Sequence, residues 1–251
     1  MSLAWPEGVG RHVLPSTDST MAEAARRAPS ALGPEWVLAL EQTAGRGRRG
    51  RAWSMPAGNF AASLILHPKE PPQRVALRSF VAALALHDAL VALGVPATDL
   101  TLKWPNDVLL KGGKLAGILL ESLGDGRGGL AHLVIGIGVN LAAAPEPSTL
   151  EATAVAPVSL AADAGVQVGP EDVLNALAPA YADLEAQFTT YGFAPIRNAW
   201  LSKAARLGEV ITARLPSEEI TGTFTDVDMD GNLVLETPKG RRTIAAADIF
   251  F

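Results

Sequence analysis

Residues 101–122, TLKWPNDVLLKGGKLAGILLES, carry the strand and turn pattern that decides the fold. Short apolar segments alternate here with turn residues, and a glycine pair separates the second segment from the third. Glycine pairs between apolar runs are typical of tight hairpin turns. A further apolar run lies beyond a glycine-rich turn at 124–129. The pattern therefore predicts an antiparallel meander with strands at 101–103, 107–110, 114–122 and 131–141.

Helical and strand patterns surround this meander. Cap residues precede an alanine-rich segment near the N-terminus, and Gly94 and Gly208 stand where helices would end. The prolines of segment 142–158 predict a mobile loop. Further strands are expected at 35–42 and 60–66, and helices at 16–28, 74–93, 170–190 and 195–207. The fold class is therefore α+β, with a mixed, largely antiparallel sheet and flanking helices.

The character of the chain changes at Gly208. Alternating apolar and polar residues are separated there by turn sequences such as Asp-Gly and Pro-Lys-Gly, which is typical of short strands. The predicted strands are 209–214, 219–227, 232–236 and 241–245. The sequence thus predicts two domains, residues 1–207 and a small β-unit at 208–251, which is too small to be stable without packing on the first.

Composition excludes several classes of function. Hydrophobic residues make up 48% of the 251 and charged residues 19%, which suits a packed core. The net charge of −5 argues against a nucleic acid or an anionic membrane as partner. Cysteine is absent, and the four histidines are scattered, so no metal-ligand pair is evident. Since no uninterrupted run of 18 apolar residues occurs, we expect a cytoplasmic protein.

Positive charge concentrates in GRGRRGR at 45–51, here called the arginine–glycine loop. It satisfies the dinucleotide-binding pattern only formally, because Pro56 and Gly58 spoil the helix that should follow. A solvated basic loop remains one interpretation. The alternative is a phosphate-binding loop, since glycines let backbone N–H groups approach an anion and guanidinium groups bind oxyanions in bidentate fashion. The interleaved glycines favour the second interpretation.

The meander carries its own polar candidates. In KWPND (103–107), Asn106 and Asp107 stand in a turn between two strands, where a simple structural turn is the plainest interpretation. Lys114 opens the partner strand of the hairpin, so the segment KLAGIL (114–119) should lie near KWPND. Gly117 interrupts an apolar strand, which indicates close approach of a ligand or of another backbone. The segment IGIGVN (135–140) repeats the pattern and ends in Asn140.

Four motifs in this order resemble those of biotin–protein ligases: EQTAGRGRRGRAW (41–53), KWPND (103–107), KLAGIL (114–119) and IGIGVNL (135–141). The resemblance extends from about Ser16 to the C-terminus, where the small β-unit is similar to the family's SH3-like barrel. It implies ATP-dependent conversion of biotin to biotinyl-5′-adenylate, with Mg²⁺. The biotinyl group would then pass to a lysine of a biotin carboxyl carrier protein.

The resemblance also implies roles for individual residues. Lys114, Arg46, Arg48 and Asp107 correspond to catalytic positions, with Lys114 bridging the biotin carboxylate and the α-phosphate. The biotin-binding residues implied are Ser19, Thr20, Gln42, Gly45, Arg46, Lys114 and Gly117. Those implied for ATP or the adenylate are Arg48, Arg51, Trp53, Asn106 and Asn140. No metal ligands are identified.

Other functions remain to be compared with this one. A lipoate or octanoate ligase or transferase shares the architecture, but the full arginine–glycine loop and Gln42 favour biotin, because a linear acyl chain has no ureido group to bind. A non-catalytic nucleic-acid-binding protein would interleave aromatics with the arginines, and only Trp53 is near. An idle ligand-binding relative would not need Lys114. Too few residues precede Ser16 to form the N-terminal DNA-binding domain of some relatives, so we expect no binding to DNA. A homodimer is possible in principle, since an exposed edge strand would allow two sheets to pair.

Overall fold

Twelve strands lie within the residues that the computed structural model describes, which are 4–124, 130–145 and 155–250. Seven belong to a large sheet and five to a small one. The strands of the large sheet are β1 (Gly10–Leu14), β2 (Glu35–Ala39), β3 (Phe60–Leu66), β4 (Leu100–Lys103), β5 (Asp107–Leu110), β6 (Gly113–Gly124) and β7 (Leu130–Val139). Those of the small sheet are β8 (Val210–Arg214), β9 (Glu219–Val227), β10 (Leu233–Thr237), β11 (Gly240–Ile244) and β12 (Asp248–Phe250).

The large sheet has the order β1-β2-β3-β7-β6-β5-β4. Strands β4 to β7 follow one another antiparallel, so the predicted meander is confirmed. The turn into β6 uses Lys111 and Gly112, both with positive φ, as a tight two-residue hairpin requires. Among the described strands of this sheet, β1 and β2 are the one parallel pair, which confirms the mixed, largely antiparallel sheet.

Helices cover both faces of this sheet. Their bounds are α1 (Thr20–Arg27), α2 (Pro72–Ala76), α3 (Arg78–Ala92), α4 (Pro170–Tyr191) and α5 (Phe193–Leu201). Successive strand residues point to opposite faces. In β2, Val37 therefore packs with Met21 and Ala24 of α1, while Trp36 and Leu38 belong to the larger core beneath α3 and α4. Because α1 covers only part of its face, the rest of that face is left for a site.

The small sheet has the order β11-β10-β9-β8-β12 and is antiparallel throughout. This arrangement agrees with the expected SH3-like unit, although among the described strands β11 and β12 are the two edges of an open sheet and do not pair to close a barrel. The β9–β10 turn contacts the first domain: Trp104 Nε1 donates to Gly231 O at 3.0 Å. The division of the chain at residues 207 and 208 stays a prediction.

Several element ends differ from the sequence-based expectation. The last helix was expected to continue to residue 207, but α5 ends at Leu201 because the chain then pairs with β4. Leu102 N donates to Lys203 O and Ala205 N donates to Leu102 O, both at 2.8 Å. The expected helix at 74–93 is two helices that meet at Leu77. Strands β1 and β12 were not predicted, and residues 125–129 and 146–154 of the predicted turn and loop lie outside the described residues.

One helical stretch, Pro72–Ala92, is long and apolar enough to cross a membrane by length and composition, with a mean hydropathy of 1.6. Most of it is buried inside the structure, where α3 packs between the large sheet and α4. A core helix of a globular domain satisfies the same criteria, so this stretch is interpreted as core.

Candidate active site

Two glycines form a flat floor on the partly covered face of the large sheet. Gly117 of β6 and Gly138 of β7 are cross-strand partners, and the indole of Trp53 lies directly on them. A Cβ built on Gly138 would lie 2.5 Å from Trp53 Cε2, and one built on Gly117 would lie 3.2 Å from Trp53 Cζ3. Any larger residue would therefore lift a flat group off the strands. We call this pair the glycine floor.

The arginine–glycine loop holds Trp53 in this position. The loop folds back as a small hairpin, in which Trp53 N donates to Gly45 O at 2.9 Å and Gly47 N donates to Arg51 O at 2.7 Å. A Cβ on Gly45 would lie 2.7 Å from Trp53 O, so only glycine allows the two arms to approach this closely. The loop crosses the site instead of extending into solvent.

A buried polar cluster lies at one end of the glycine floor. Gln42 Oε1 accepts from the Thr20 backbone N at 2.8 Å and from Thr20 Oγ1 at 3.1 Å, and Ser63 Oγ donates to Thr20 Oγ1 at 2.9 Å. Ser19 and Thr20 are each 3% exposed. Ser63 pairs with Gly136, two residues from Gly138 on the same face of β7, so cluster and floor adjoin. The cluster offers both donors and acceptors to a polar ligand group.

Charged side chains occupy the other end. Lys114 Nζ lies 2.8 Å from Asp107 Oδ1 and 6.0 Å from the centre of the Trp53 ring. A Cβ on Gly117 would be 3.7 Å from both Asp107 Oδ1 and Lys114 Cε, which places this ion pair beside the glycine floor. The prediction that the two motifs lie close together is confirmed. Lys103 faces Asp107 across the β4–β5 pair, and burial lowers the pKa of its ammonium group while the Asp107 carboxylate opposes that shift.

Arg48 joins the loop to this charged end. Its Nη1 lies 3.3 Å from Asn106 Oδ1, and Asn106 Nδ2 donates in turn to Ile118 O at 2.6 Å. Burial lowers the pKa of the Arg48 guanidinium, and the carboxylates of Asp248 and Asp107 act in the opposite direction. A guanidinium nevertheless stays charged at neutral pH. Arg48 is thus a partly desolvated cation, whose field on a bound anion is stronger than it would be in water.

The remaining predicted site residues lie at the edges of this arrangement. Arg46 and Arg51 are exposed on the two arms of the loop. Asn140 is 2% exposed, and its amide donates to Val158 O at 3.0 Å. The segment 156–158, which Asn140 holds through this bond, pairs with Lys114, whose backbone N donates to Ala156 O at 2.8 Å. Asn140 therefore orders the backbone around Lys114, and its predicted contact with adenine stays a prediction.

No group of three or more histidine, cysteine or acidic side chains that could hold a metal ion occurs in the described part of the chain. Asp107 is the carboxylate at the charged end of the floor. Since Mg²⁺ is commonly bound by one or two carboxylates together with substrate phosphates, a single aspartate fits an ion that arrives with a nucleotide.

Sequence reasoning missed three residues of this region. Ser63 is a lone hydroxyl in the apolar strand FAASLIL, and that contrast was the available signal. Met21 packs against Gly136, where a Cβ would lie 2.4 Å from its sulfur, so it fills the space beside the polar cluster. Asp248 contacts the arginine–glycine loop from the small sheet. No local pattern marked Asp248, because it lies almost 200 residues from its partners.

Comparison with family models gives two matches. The model described as "Biotin/lipoate A/B protein ligase family" matches residues 12–140, which include every residue of the site except Asp248. The model described as "Biotin protein ligase C terminal domain" matches residues 207–251.

Individual relatives match over almost the whole chain. The biotin–[acetyl-CoA-carboxylase] ligase of Paracoccus denitrificans is 56% identical, covering 95% of this chain and 99% of that protein. The bifunctional ligase/repressor BirA of Bacillus subtilis is 34% identical, covering 97% of this chain and 75% of that protein. Among solved structures, the biotin protein ligase of Aquifex aeolicus in complex with biotin and ATP has a TM-score of 0.79 at 26% identity. That match covers 96% of this chain and 97% of the other.

Proposed function

The chain belongs to the biotin protein ligases of the biotin/lipoate A/B protein ligase family, and we propose that the glycine floor with its two polar ends is where it joins biotin to ATP. The enzyme activates biotin to biotinyl-5′-adenylate and transfers the biotinyl group to an acceptor protein. The single observation that supports this site is the arrangement of a buried polar cluster and a Lys114–Asp107 ion pair at opposite ends of one flat floor.

The polar cluster suits the ureido ring of biotin. A cyclic urea presents one carbonyl acceptor and two N–H donors, and the hydroxyls of Ser19, Thr20 and Ser63 with the Gln42 amide can both give and accept hydrogen bonds. Gln42, Thr20 and Ser63 already bond to one another, so a ligand that replaces those bonds leaves none of these buried polar atoms unsatisfied. A linear acyl chain has no urea group, so it could not replace those hydrogen bonds.

The glycine floor then carries the rest of the ring system. Trp53 covers the floor in the described structure, and a ligand seated there moves the indole outward to lie over it. The backbone at Gly45, Gly117 and Gly138 allows this close packing. Covering the ligand in this way excludes water, which would hydrolyse a mixed anhydride before the acceptor amine arrives.

At the charged end, a biotin carboxylate oxygen attacks the α-phosphorus of ATP. An acyl–phosphate (mixed anhydride) bond to AMP forms, the bond from the α-phosphorus to the bridging oxygen of the β-phosphate breaks, and pyrophosphate leaves. Lys114 would contact both the carboxylate and the α-phosphate, holding two anions together that otherwise repel. Arg48, with Arg46 and Arg51 on the loop, would stabilise the charge that develops on the phosphate oxygens. Asn106 keeps Arg48 in place, and Asn140 keeps the backbone of Lys114 in place.

Mg²⁺ bound by the ATP phosphates would be held on the protein side by Asp107, and it would neutralise charge on the departing pyrophosphate. In the second half-reaction the neutral amine of an acceptor lysine attacks the biotinyl carbonyl. An amide bond forms, AMP leaves, and the amine loses a proton. Asp107 lies close enough to Lys114 to orient that amine as well.

The acceptor belongs to acetyl-CoA carboxylase. We propose that the lysine lies on its biotin carboxyl carrier protein or domain, and that the reaction takes place in the cytoplasm. The net charge of −5 makes DNA an unfavourable partner. Strand β1 is one of the two edge strands of the large sheet, and it offers a surface for a homodimer.

Pyrophosphate release with ATP and Mg²⁺, measured in turn with biotin, lipoate and octanoate, tests the proposal. We expect pyrophosphate release with biotin. The rate of release should fall at least 100-fold in Lys114→Ala, because removing an electrostatic contact made in the transition state costs about 10²–10³ in rate. Lys111→Ala is the matched control, since Lys111 lies in the same hairpin but bonds to Asp163 O, away from the site. Pyrophosphate release with lipoate or octanoate but not with biotin would contradict biotin as the substrate.

A further inference from the structure

Asp248 of the small sheet contacts the arginine–glycine loop directly. Its Oδ2 accepts from Arg49 Nη1 at 2.5 Å and lies 3.4 Å from Arg51 Nη2. The Asp248 side chain is 20% exposed, whereas those of Arg49 and Arg51 are about half exposed. One carboxylate thus joins two arginines of a loop that lies almost 200 residues away in the chain.

The carboxylate stands on a rigid support. Asp248 pairs with Arg214 at one end of the β12–β8 ladder, and its neighbours Ala247 and Ile249 are buried in the small-sheet core at 0% and 5% exposure. The small sheet is in turn fixed to the first domain by the bond from Trp104 to Gly231. Trp104 lies two residues before Asn106, so the small sheet and the catalytic turn share an anchor.

The loop is consequently held from two sides. Arg48 is fixed by Asn106 on the large-sheet side, and Arg49 and Arg51 are fixed by Asp248 on the small-sheet side. Arg48 and Arg49 belong to one tight turn over Arg48–Gly50, in which Arg49 has a φ of 56°, and Arg51 caps the end of that turn. In so tight a turn, holding Arg49 restricts the directions in which Arg48 can point.

We propose that Asp248 is a positioning residue for adenylation, which keeps the arginine–glycine loop closed over the glycine floor through Arg49 and Arg51. This inference rests on the proposed function of the floor. It assigns the small sheet a part in the reaction: that sheet sets the geometry of the cations that bind the triphosphate.

Simple electrostatics predicts the opposite effect of removing this carboxylate. Asp248 partly neutralises the arginines, so Asp248→Asn would strengthen phosphate binding if the carboxylate acted only through its charge. If Asp248 positions the loop, the same substitution weakens ATP binding, because the closed loop becomes a smaller fraction of the population. The sign of the change in KM for ATP therefore separates the two roles.

The test uses the full chain and two measurements. Asp248→Asn should raise the KM for ATP about threefold to fivefold, as expected for losing a partly exposed ion pair. Trypsin cleavage within residues 46–51, followed by mass spectrometry on the folded protein without ligands, should become faster by a similar factor. Glu218→Gln is the matched control, because it breaks the Glu218–Arg242 pair of the same sheet at 3.0 Å without contacting the loop.

Two further variants test specificity. Asp248→Glu keeps the charge, so its KM for ATP and its rate of loop cleavage should return most of the way to the values of the parent protein. Arg49→Gln should raise the KM for ATP in the same direction, and the double variant should be no worse than Asp248→Asn, since Asp248→Asn already removes the contact with Arg49. Additive effects in the double variant would contradict the proposal.

An unchanged or lower KM for ATP in Asp248→Asn would overturn the positioning role, as would an unchanged rate of loop cleavage. The cleavage measurement needs no activity. If the parent protein released no pyrophosphate with biotin, the proposed function would fail, and loop cleavage would still decide whether Asp248 holds the loop.

Discussion

At the scale of single residues, the glycines of the floor matter more than the charged groups for admitting a ligand. Charged side chains can bend toward a bound anion, whereas a strand backbone cannot withdraw from a flat ring. Gly138 makes the tighter contact, since its built Cβ would overlap three atoms of the Trp53 indole at 2.5–2.7 Å. The floor therefore tolerates no side chain at this position.

We expect Gly138→Ala to raise the KM for biotin by about tenfold or more, because overpacking a filled site costs about 1–3 kcal/mol. Steady-state kinetics at saturating ATP measures this. Gly33→Ala serves as the control, since its Cβ would meet only Gly8 O at an ordinary 3.5 Å. A KM for biotin equal to that of the parent would show that no ligand rests on Gly138.

At the scale of elements, a buried arginine joins α3 to α4. Arg78 is 3% exposed, and its guanidinium bonds to Glu70 and Glu185 at 2.9 and 2.7 Å while lying over the ring of Phe188. Tyr181 Oη also donates to Glu185. Two carboxylates near the core thus depend on one cation.

Arg78→Met should lower the free energy of unfolding by about 3 kcal/mol, since it leaves partly buried carboxylates without their partner. Urea unfolding measures the change. Arg74→Met is the matched control, because Arg74 stacks on the same Phe188 ring from an exposed position and, within the described part of the chain, acts on Glu70 only through its charge, with no salt bridge to a carboxylate. Equal losses in the two variants would mean that stacking on Phe188, and not the ion pairs, stabilises the helix contact.

Strand β7 carries a buried histidine, His132, which is 7% exposed. Burial lowers the pKa of its imidazole, and the nearby His67 lowers it further. Below the ordinary pKa of about 6.5 the unfolded chain therefore binds a proton that the folded chain resists. Stability from this residue is present above that pH and is lost as the pH falls.

The melting temperature should accordingly decrease from pH 7.5 to pH 5.5, and it should decrease less in His132→Gln. Thermal unfolding followed by circular dichroism at each pH checks this. A pH dependence of the same size in both proteins would place the cause in other groups.

At the scale of the whole molecule, the contact between the two sheets depends on the β9–β10 turn. Gly231 has a φ of +80°, and a Cβ there would lie 2.8 Å from Leu77 Cδ2 and 3.0 Å from Phe80 Cε2. Arg197 adds hydrogen bonds to Asp226 and to Val227 O. The small sheet is therefore packed against the α2–α3 junction and α5.

Gly231→Ala should reduce stability by about 1–3 kcal/mol more than Gly208→Ala does. Both positions have a positive φ near 80°, so both variants carry similar backbone strain, but a Cβ on Gly208 meets nothing within 4 Å. The difference in urea unfolding free energy isolates the contact between the sheets. A difference near zero would mean that this turn does not join them.

Local patterns in the sequence predicted most of the fold. Strand β3 was expected at 60–66 and lies there, and the meander and the largely antiparallel sheet are confirmed. The turn expected at Gly112–Gly113 lies one residue earlier, at Lys111 and Gly112, because Gly113 already belongs to β6. These features depend on residues within one turn or one strand of each other. Where a distant partner decided the end of an element, as β4 does for α5, the expectation was wrong.

The candidate site shows the same division. The segments that carry Lys114 and Asp107 were predicted to lie near each other because one hairpin joins them, and in the structure the two side chains form an ion pair. Ser63 and Asp248 were missed because each reaches the site from an element that is distant in sequence. Their positions depend on how α1 and the small sheet pack, and hydrophobic burial, which drives that packing, carries no directional signal in the chain.

By itself, the sequence therefore determined ten of the twelve described strands, the tight turns, the concentration of arginine and the glycines that a flat ligand requires, because each follows from local backbone and charge preferences. Only the tertiary structure decided that the arginine–glycine loop lies across the glycine floor, that Ser63 completes the polar cluster, and that Asp248 holds the loop from the other sheet. Those contacts join groups that only the burial of two cores brings within hydrogen-bond distance.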